Sequence, residues 1–116
     1  MVKRKIDFRL YLITDRKLIT SNSSLVIVVK QALRGGVSAV QLREKYLGTR
    51  DMLKLAYKMR ELTAGYGARL FINDRFDIAL AVGADGVHLT RESIPAAAVR
   101  KAVRNSFLVG VSTHSI

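Results

Sequence analysis

Five short apolar runs, separated by stretches of helical character, constrain this chain more than anything else in it. The runs cover residues 9–14, 37–42, 69–72, 85–89 and 107–111, each of strand length. Between the second and third runs, Met52, Leu55, Ala56, Met59 and Leu62 fall on one face at helical period, behind Thr49 as a cap and before Gly65 and Gly67. Residues 25–35 form a helix candidate capped by Ser23 and Ser24 and stopped at Gly35 and Gly36. Residues 74–82 form a short one stopped by Gly83, and Ser93 caps a fourth, with Pro95 in its first turn. The predicted order is β-α-β-α-β-α-β-α-β. Strands alternating with helices imply parallel pairing, because a parallel neighbour is reached only through a crossover.

Such units build either a barrel or an open doubly wound sheet. A weak internal echo, Gly36-Val-Ser-Ala-Val-Gln-Leu42 against Gly83-Ala-Asp-Gly-Val-His-Leu89, suits repeated βα units. The absence of a GxGxxG or Walker sequence counts against the nucleotide-binding open sheets. At 116 residues the chain is one domain's worth. A complete eight-stranded barrel needs about 250 residues, about 200 at the low end. The expected fold class is therefore α/β, parallel βα units of a TIM (β/α)₈ barrel, with the N-terminal half only. Residues 1–116 are expected to form a single partial-barrel domain.

No cysteine is present, which excludes a disulfide framework and thiolate zinc sites. No apolar run approaches the roughly 20 residues that span a bilayer. The basic start at Met1–Lys5 leads into a run that is short and carries Arg9, a strand pattern and not a signal peptide. A cytoplasmic setting is expected. The net charge of +11 suits attraction of phosphorylated substrates, a nucleic-acid partner or a plainly solvated surface. The basic residues are scattered and lack interleaved aromatics, so no nucleic-acid partner and no membrane partner is expected.

Chemistry in parallel α/β folds sits beyond the carboxyl ends of the strands. There the sequence places Thr14-Asp15-Arg16, Gln41 with Arg43-Glu44-Lys45, Asn73-Asp74, His88 with Thr90-Arg91-Glu92, and Ser112-Thr113-His114. Each has a purely structural alternative. Asn73 and Asp74 could cap a helix, Arg43 to Lys45 could be a solvated loop, and His88 could be a core histidine. An Arg and Lys pair grips a diphosphate well, and an adjacent aspartate can hold Mg²⁺.

Gly35 to Lys45, Phe71-Ile72-Asn73-Asp74-Arg75, Gly83 to Leu89 and Val109 to His114 together resemble thiamine-phosphate synthase and its TenI-type relatives, which include thiazole tautomerases. The resemblance implies a triosephosphate-isomerase-type barrel that joins an aminopyrimidine diphosphate to a thiazole phosphate and releases pyrophosphate. It implies that Arg43, Lys45, Asn73 and Ser112 hold the diphosphate, that Gln41 and His88 face the pyrimidine, and that Asp74 binds Mg²⁺. Ser112 and His114 are the candidate catalytic residues, His114 as the proton carrier of a TenI-type tautomerase. Two features depart from the synthase pattern. Thr90-Arg91-Glu92-Ser93 stands where synthases have Gly-Gln-Glu-Asp, whose aspartate is a second magnesium ligand, and this shifts weight toward the TenI branch. The loops that would bind the thiazole phosphate would follow Ile116. A half-barrel exposes strand edges, so self-association, or membership of a longer protein, is expected. A non-catalytic remnant that binds a phosphorylated ligand is a further alternative.

Overall fold

The computed structural model describes residues 11–14 and 22–111. In chain order these form β1 (Tyr11–Ile13), α1 (Asn22–Arg34), β2 (Ala39–Leu42), α2 (Thr49–Gly65), β3 (Arg69–Asn73), α3 (Phe76–Val82), β4 (Gly86–Leu89), α4 (Ala96–Ala102) and β5 (Leu108–Val111). The five strands lie side by side in sequence order, and every pairing is parallel. A doubly wound sheet would reverse that order at a switch point. The sequential order is that of a barrel wall and settles the choice the sequence left open.

Period-two alternation decides which side chains meet the helices. Val40, Leu42, Leu70, Ile72, Val87 and Leu89 are at most 1% exposed and share one cluster with Leu25, Val29, Met52, Met59, Ile78 and Val99 of the helices. The helices thus cover one face of the sheet. The residues of opposite parity, Tyr11, Ile13, Gln41, Phe71, Asn73, His88, Leu108 and Gly110, line a concave cleft of about 510 Å³ on the other face. The two faces separate stability from chemistry.

The strand starts are tied together by Asp85. Its carboxylate accepts from Arg60 Nη1 of α2 and from the backbone N–H of Leu70, both at 2.8 Å. Arg60 Nη2 also donates to the carbonyl of Ala68 at 3.2 Å. One arginine therefore links α2 to the ends of β3 and β4. No helix of the described residues is long and apolar enough to cross a membrane.

Several expected helix starts are displaced. α1 begins at Asn22, so Ser23 and Ser24 lie within its first turn and do not precede it. Gly48 occupies the N-cap of α2, and Thr49 is already helical. α3 starts at Phe76 and not at Asp74, because Asp74 has φ 66° and cannot belong to a right-handed helix. Pro95 stands at the N-cap of α4, and Ser93 is turned to another purpose. The stop of α3 is as read: Gly83 adopts the left-handed conformation (φ 68°) that only glycine takes without strain.

Candidate functional site

The carboxyl ends of β2, β3 and β4 bring most of the expected site residues together. Gln41 is 3% exposed and lies at the centre of a side-chain chain. Asn73 Nδ2 donates to Gln41 Oε1 at 3.0 Å, and Gln41 Nε2 donates to the Tyr11 hydroxyl at 2.8 Å. A buried amide must have its groups satisfied, and these two contacts fix which way it points. Asn73 therefore orients Gln41 and does not cap α3. Burial raises the pKa of Tyr11 above its usual 10.0, against the smaller effect of Gln41, so the phenol stays neutral. The Tyr11 and Phe71 rings meet at 5.9 Å, tilted by 54°.

Thr14 closes the end of β1. It is 2% exposed, and its Oγ1 accepts from the backbone N–H of Arg43 at 2.9 Å. The backbone from which the Arg43 side chain extends is held in place this way. Arg43 and Lys45 are themselves exposed at the rim.

His88 follows Val87 on the inner side of β4, level with Asn73 on one side and Gly110 on the other. A Cβ on Gly110 would lie 2.9 Å from His88 Nδ1, so the imidazole uses space that only glycine leaves. Burial is the larger cause, and nearby Arg43 the smaller, of a His88 pKa below the usual 6.5. The ring is neutral at pH 7.

Asp74 is the strained point of the site. Its positive φ is stabilised by its own N–H donating to His88 O at 2.7 Å and by its carbonyl accepting from Phe76 N–H at 2.8 Å. Ser93 Oγ donates to Asp74 Oδ1 at 2.5 Å and accepts from Thr90 N–H at 2.8 Å. The turn after β4 is thereby pinned to the turn after β3. Arg43, Glu44, Lys45, Asp74, Arg91 and Glu92 share a rim cavity of about 710 Å³. Arg43, Asn73 and Thr90 line both this cavity and the inner cleft, so the two are adjacent.

Mg²⁺ takes oxygen ligands and is commonly held by one or two carboxylates together with substrate phosphates. Asp74 keeps Oδ2 beyond its bond to Ser93, so the donors fit the ion when phosphate oxygens complete its shell. Among the described residues no group of three His, Cys, Asp or Glu side chains comes together as a metal cage.

Ser112 and His114, the candidate catalytic residues, lie outside the described residues, as do Asp15 and Arg16. Gln41, Arg43, Lys45, Asn73, His88 and Asp74 all converge. Sequence reading passed over Tyr11 and Phe71 as site residues. Strand parity could have found both, since Tyr11 and Ile13 alternate on β1 and Ile13 pairs with Gln41.

Residues 10–116 match the family profile described as thiamine monophosphate synthase. A Geobacter sulfurreducens protein named after thiamine-phosphate synthase is 57% identical over 110 residues, covering 95% of this chain and 51% of its own length. The thiamine-phosphate synthase of Ruminiclostridium cellulolyticum is 49% identical over 115 residues, covering 99% and 54%. The solved thiamine phosphate pyrophosphorylase from Pyrococcus furiosus superposes with a TM-score of 0.83 at 40% identity, over 92% of this chain and 50% of that one. The chain spans about half the length of the curated relatives it matches.

Proposed function

Since this chain belongs to the thiamine monophosphate synthase family, we propose that it carries the diphosphate-binding part of a cytoplasmic thiamine-phosphate synthase. The substrate of this part is an aminopyrimidine diphosphate. The observation that carries the reading is the adjacency of the two cavities, which share Arg43, Asn73 and Thr90 as lining. A flat polar ring fits the inner cleft against Phe71, Gln41 and His88, while its diphosphate reaches Arg43 and Lys45 at the rim.

Each side chain then has a definite task. Arg43 and Lys45 bind the phosphate oxygens, Arg43 with a planar fork and Lys45 as a point charge. Ser112 is assigned to the same anion. Gln41, oriented by Asn73 and Tyr11, presents fixed amide dipoles to the pyrimidine edge. In the reaction the methylene C–O bond breaks and its electron pair leaves with pyrophosphate. The thiazole nitrogen then supplies the pair for the new C–N bond. A neutral His88 does not oppose the cation that develops between these events, and Phe71 lines the same cleft. Asp74 would hold Mg²⁺, which when bound supplies charge stabilisation to the departing pyrophosphate. These are contributions of positioning and electrostatics.

The thiazole phosphate, the second substrate, is assigned no site among the described residues. We further infer that the edges of the outer strands are covered in solution by a second copy of the chain, or by the rest of a longer protein. The TenI-type tautomerase reading depends on His114, and no observation among the described residues favours it.

Calorimetric titration with aminopyrimidine diphosphate and Mg²⁺ tests the proposal. Saturable binding is expected, weakened about 10- to 100-fold by Arg43→Ala, the usual cost of losing charged hydrogen bonds. Folded protein that binds no diphosphate would overturn it. Binding without turnover would mark the chain as a binding remnant.

A further inference from the structure

We propose that the described residues form no site for a free divalent cation and that Asp74 takes one up only together with the diphosphate, because Ser93 meets the Asp74 carboxylate with a hydroxyl that has little capacity left to act as a ligand. The inference rests on the diphosphate-binding reading above.

The geometry around Ser93 is the ground for it. The hydroxyl donates its single proton to Asp74 Oδ1 at 2.5 Å. It accepts from Thr90 N–H at 2.8 Å and lies 3.1 Å from Thr90 Oγ1. A serine oxygen has one proton and two lone pairs, so these contacts leave it little capacity to act as a ligand. They also hold the carboxylate in one orientation on a backbone already committed to φ 66°. Of this pair, the Asp74 carboxylate alone is left to ligate a metal.

The charge around that oxygen is balanced. Arg75 is turned to Asp77, with Nη2 at 2.8 Å from Oδ2. The other charged residues lining the rim are Arg43, Lys45 and Arg91 against Glu44, Asp74 and Glu92. A neutral rim offers a dication no net attraction, and a single carboxylate cannot replace the hydration shell that Mg²⁺ gives up reluctantly. A diphosphate changes both terms. It brings several negative charges into reach of Arg43 and Lys45, and its oxygens supply the missing ligands. Linkage requires the reverse as well: the cation must tighten diphosphate binding by the same factor.

Mn²⁺ is the probe, read by water-proton relaxation enhancement, which reports the ion held on the slowly tumbling protein and not its small complex with pyrophosphate. The wild-type chain should give no enhancement with Mn²⁺ alone and full enhancement once inorganic pyrophosphate is added. Pyrophosphate affinity, measured by calorimetry, should rise about tenfold or more with Mn²⁺, within the usual range of coupling. Ser93→Asp should bind Mn²⁺ without pyrophosphate. Equal Mn²⁺ binding by the wild type with and without pyrophosphate would overturn the inference and leave the diphosphate site standing. A Ser93→Asp variant that still ignores free Mn²⁺ would remove Ser93 from the explanation and overturn it too. Failure of pyrophosphate to bind under any condition would instead sink the underlying diphosphate reading, and this inference with it.

Discussion

His88 shows how one residue's environment sets its chemistry. Its pKa lies below 6.5 because the ring is partly buried and faces Arg43. Well above pH 6.5 the imidazole is neutral in both folded and unfolded chains, so its contribution to stability is complete. As pH falls below that value the unfolded chain takes up a proton that the folded chain resists. Stability is then lost down through the folded pKa. Urea midpoints measured from pH 7 to pH 5 should therefore fall, and His88→Gln should flatten that part of the slope. An unchanged slope would mean the ring is not held neutral by the fold. The gathering of Gln41, Asn73, Asp74 and His88 at one end of the sheet was legible because strand parity and strand ends are properties of the local sequence. The bond between Ser93 and Asp74 was not, because it joins two turns whose approach depends on the pairing of β3 with β4.

At the scale of elements, strands were read more reliably than helix starts. A strand is announced by its own apolar residues, while a helix start depends on where the preceding turn leaves the backbone. Asp74 is the clearest case. Its residue type suits an N-cap, yet its N–H is drawn to His88 O, its φ becomes positive, and α3 starts later. The Arg60 link could not be read from helical periodicity either, since its partners lie on the loops that start β3 and β4. Arg60 is only 20% exposed at its side chain and serves Asp85 and Ala68 together. Arg60→Ala is expected to cost about 1.5–3 kcal/mol, the range for hydrogen bonds to charged groups. Chemical denaturation would check this, and a loss under about 0.5 kcal/mol, the scale of an ordinary surface substitution, would reduce the link to a surface contact.

For the whole molecule, the sheet has one face sealed by helices and one face open among the described residues. Ile13 is 48% exposed and Val111 50%, at the two outer strands. Uncovered edge strands and apolar side chains favour association. Sedimentation velocity should show a dimer or larger species whose fraction rises with concentration, and a well-folded monomer across the micromolar range would argue against it. The sequence by itself determined the alternation of strands and helices, the buried stripe of α2 and the residue types at the strand ends, because each follows from spacing along the chain. Tertiary structure alone decided that the strands pair in sequence order, that Asn73 and Tyr11 orient Gln41, that Gly110 makes room for His88 and that Ser93 binds Asp74. Those contacts join residues distant in sequence, and no local periodicity encodes which distant neighbour a side chain will meet.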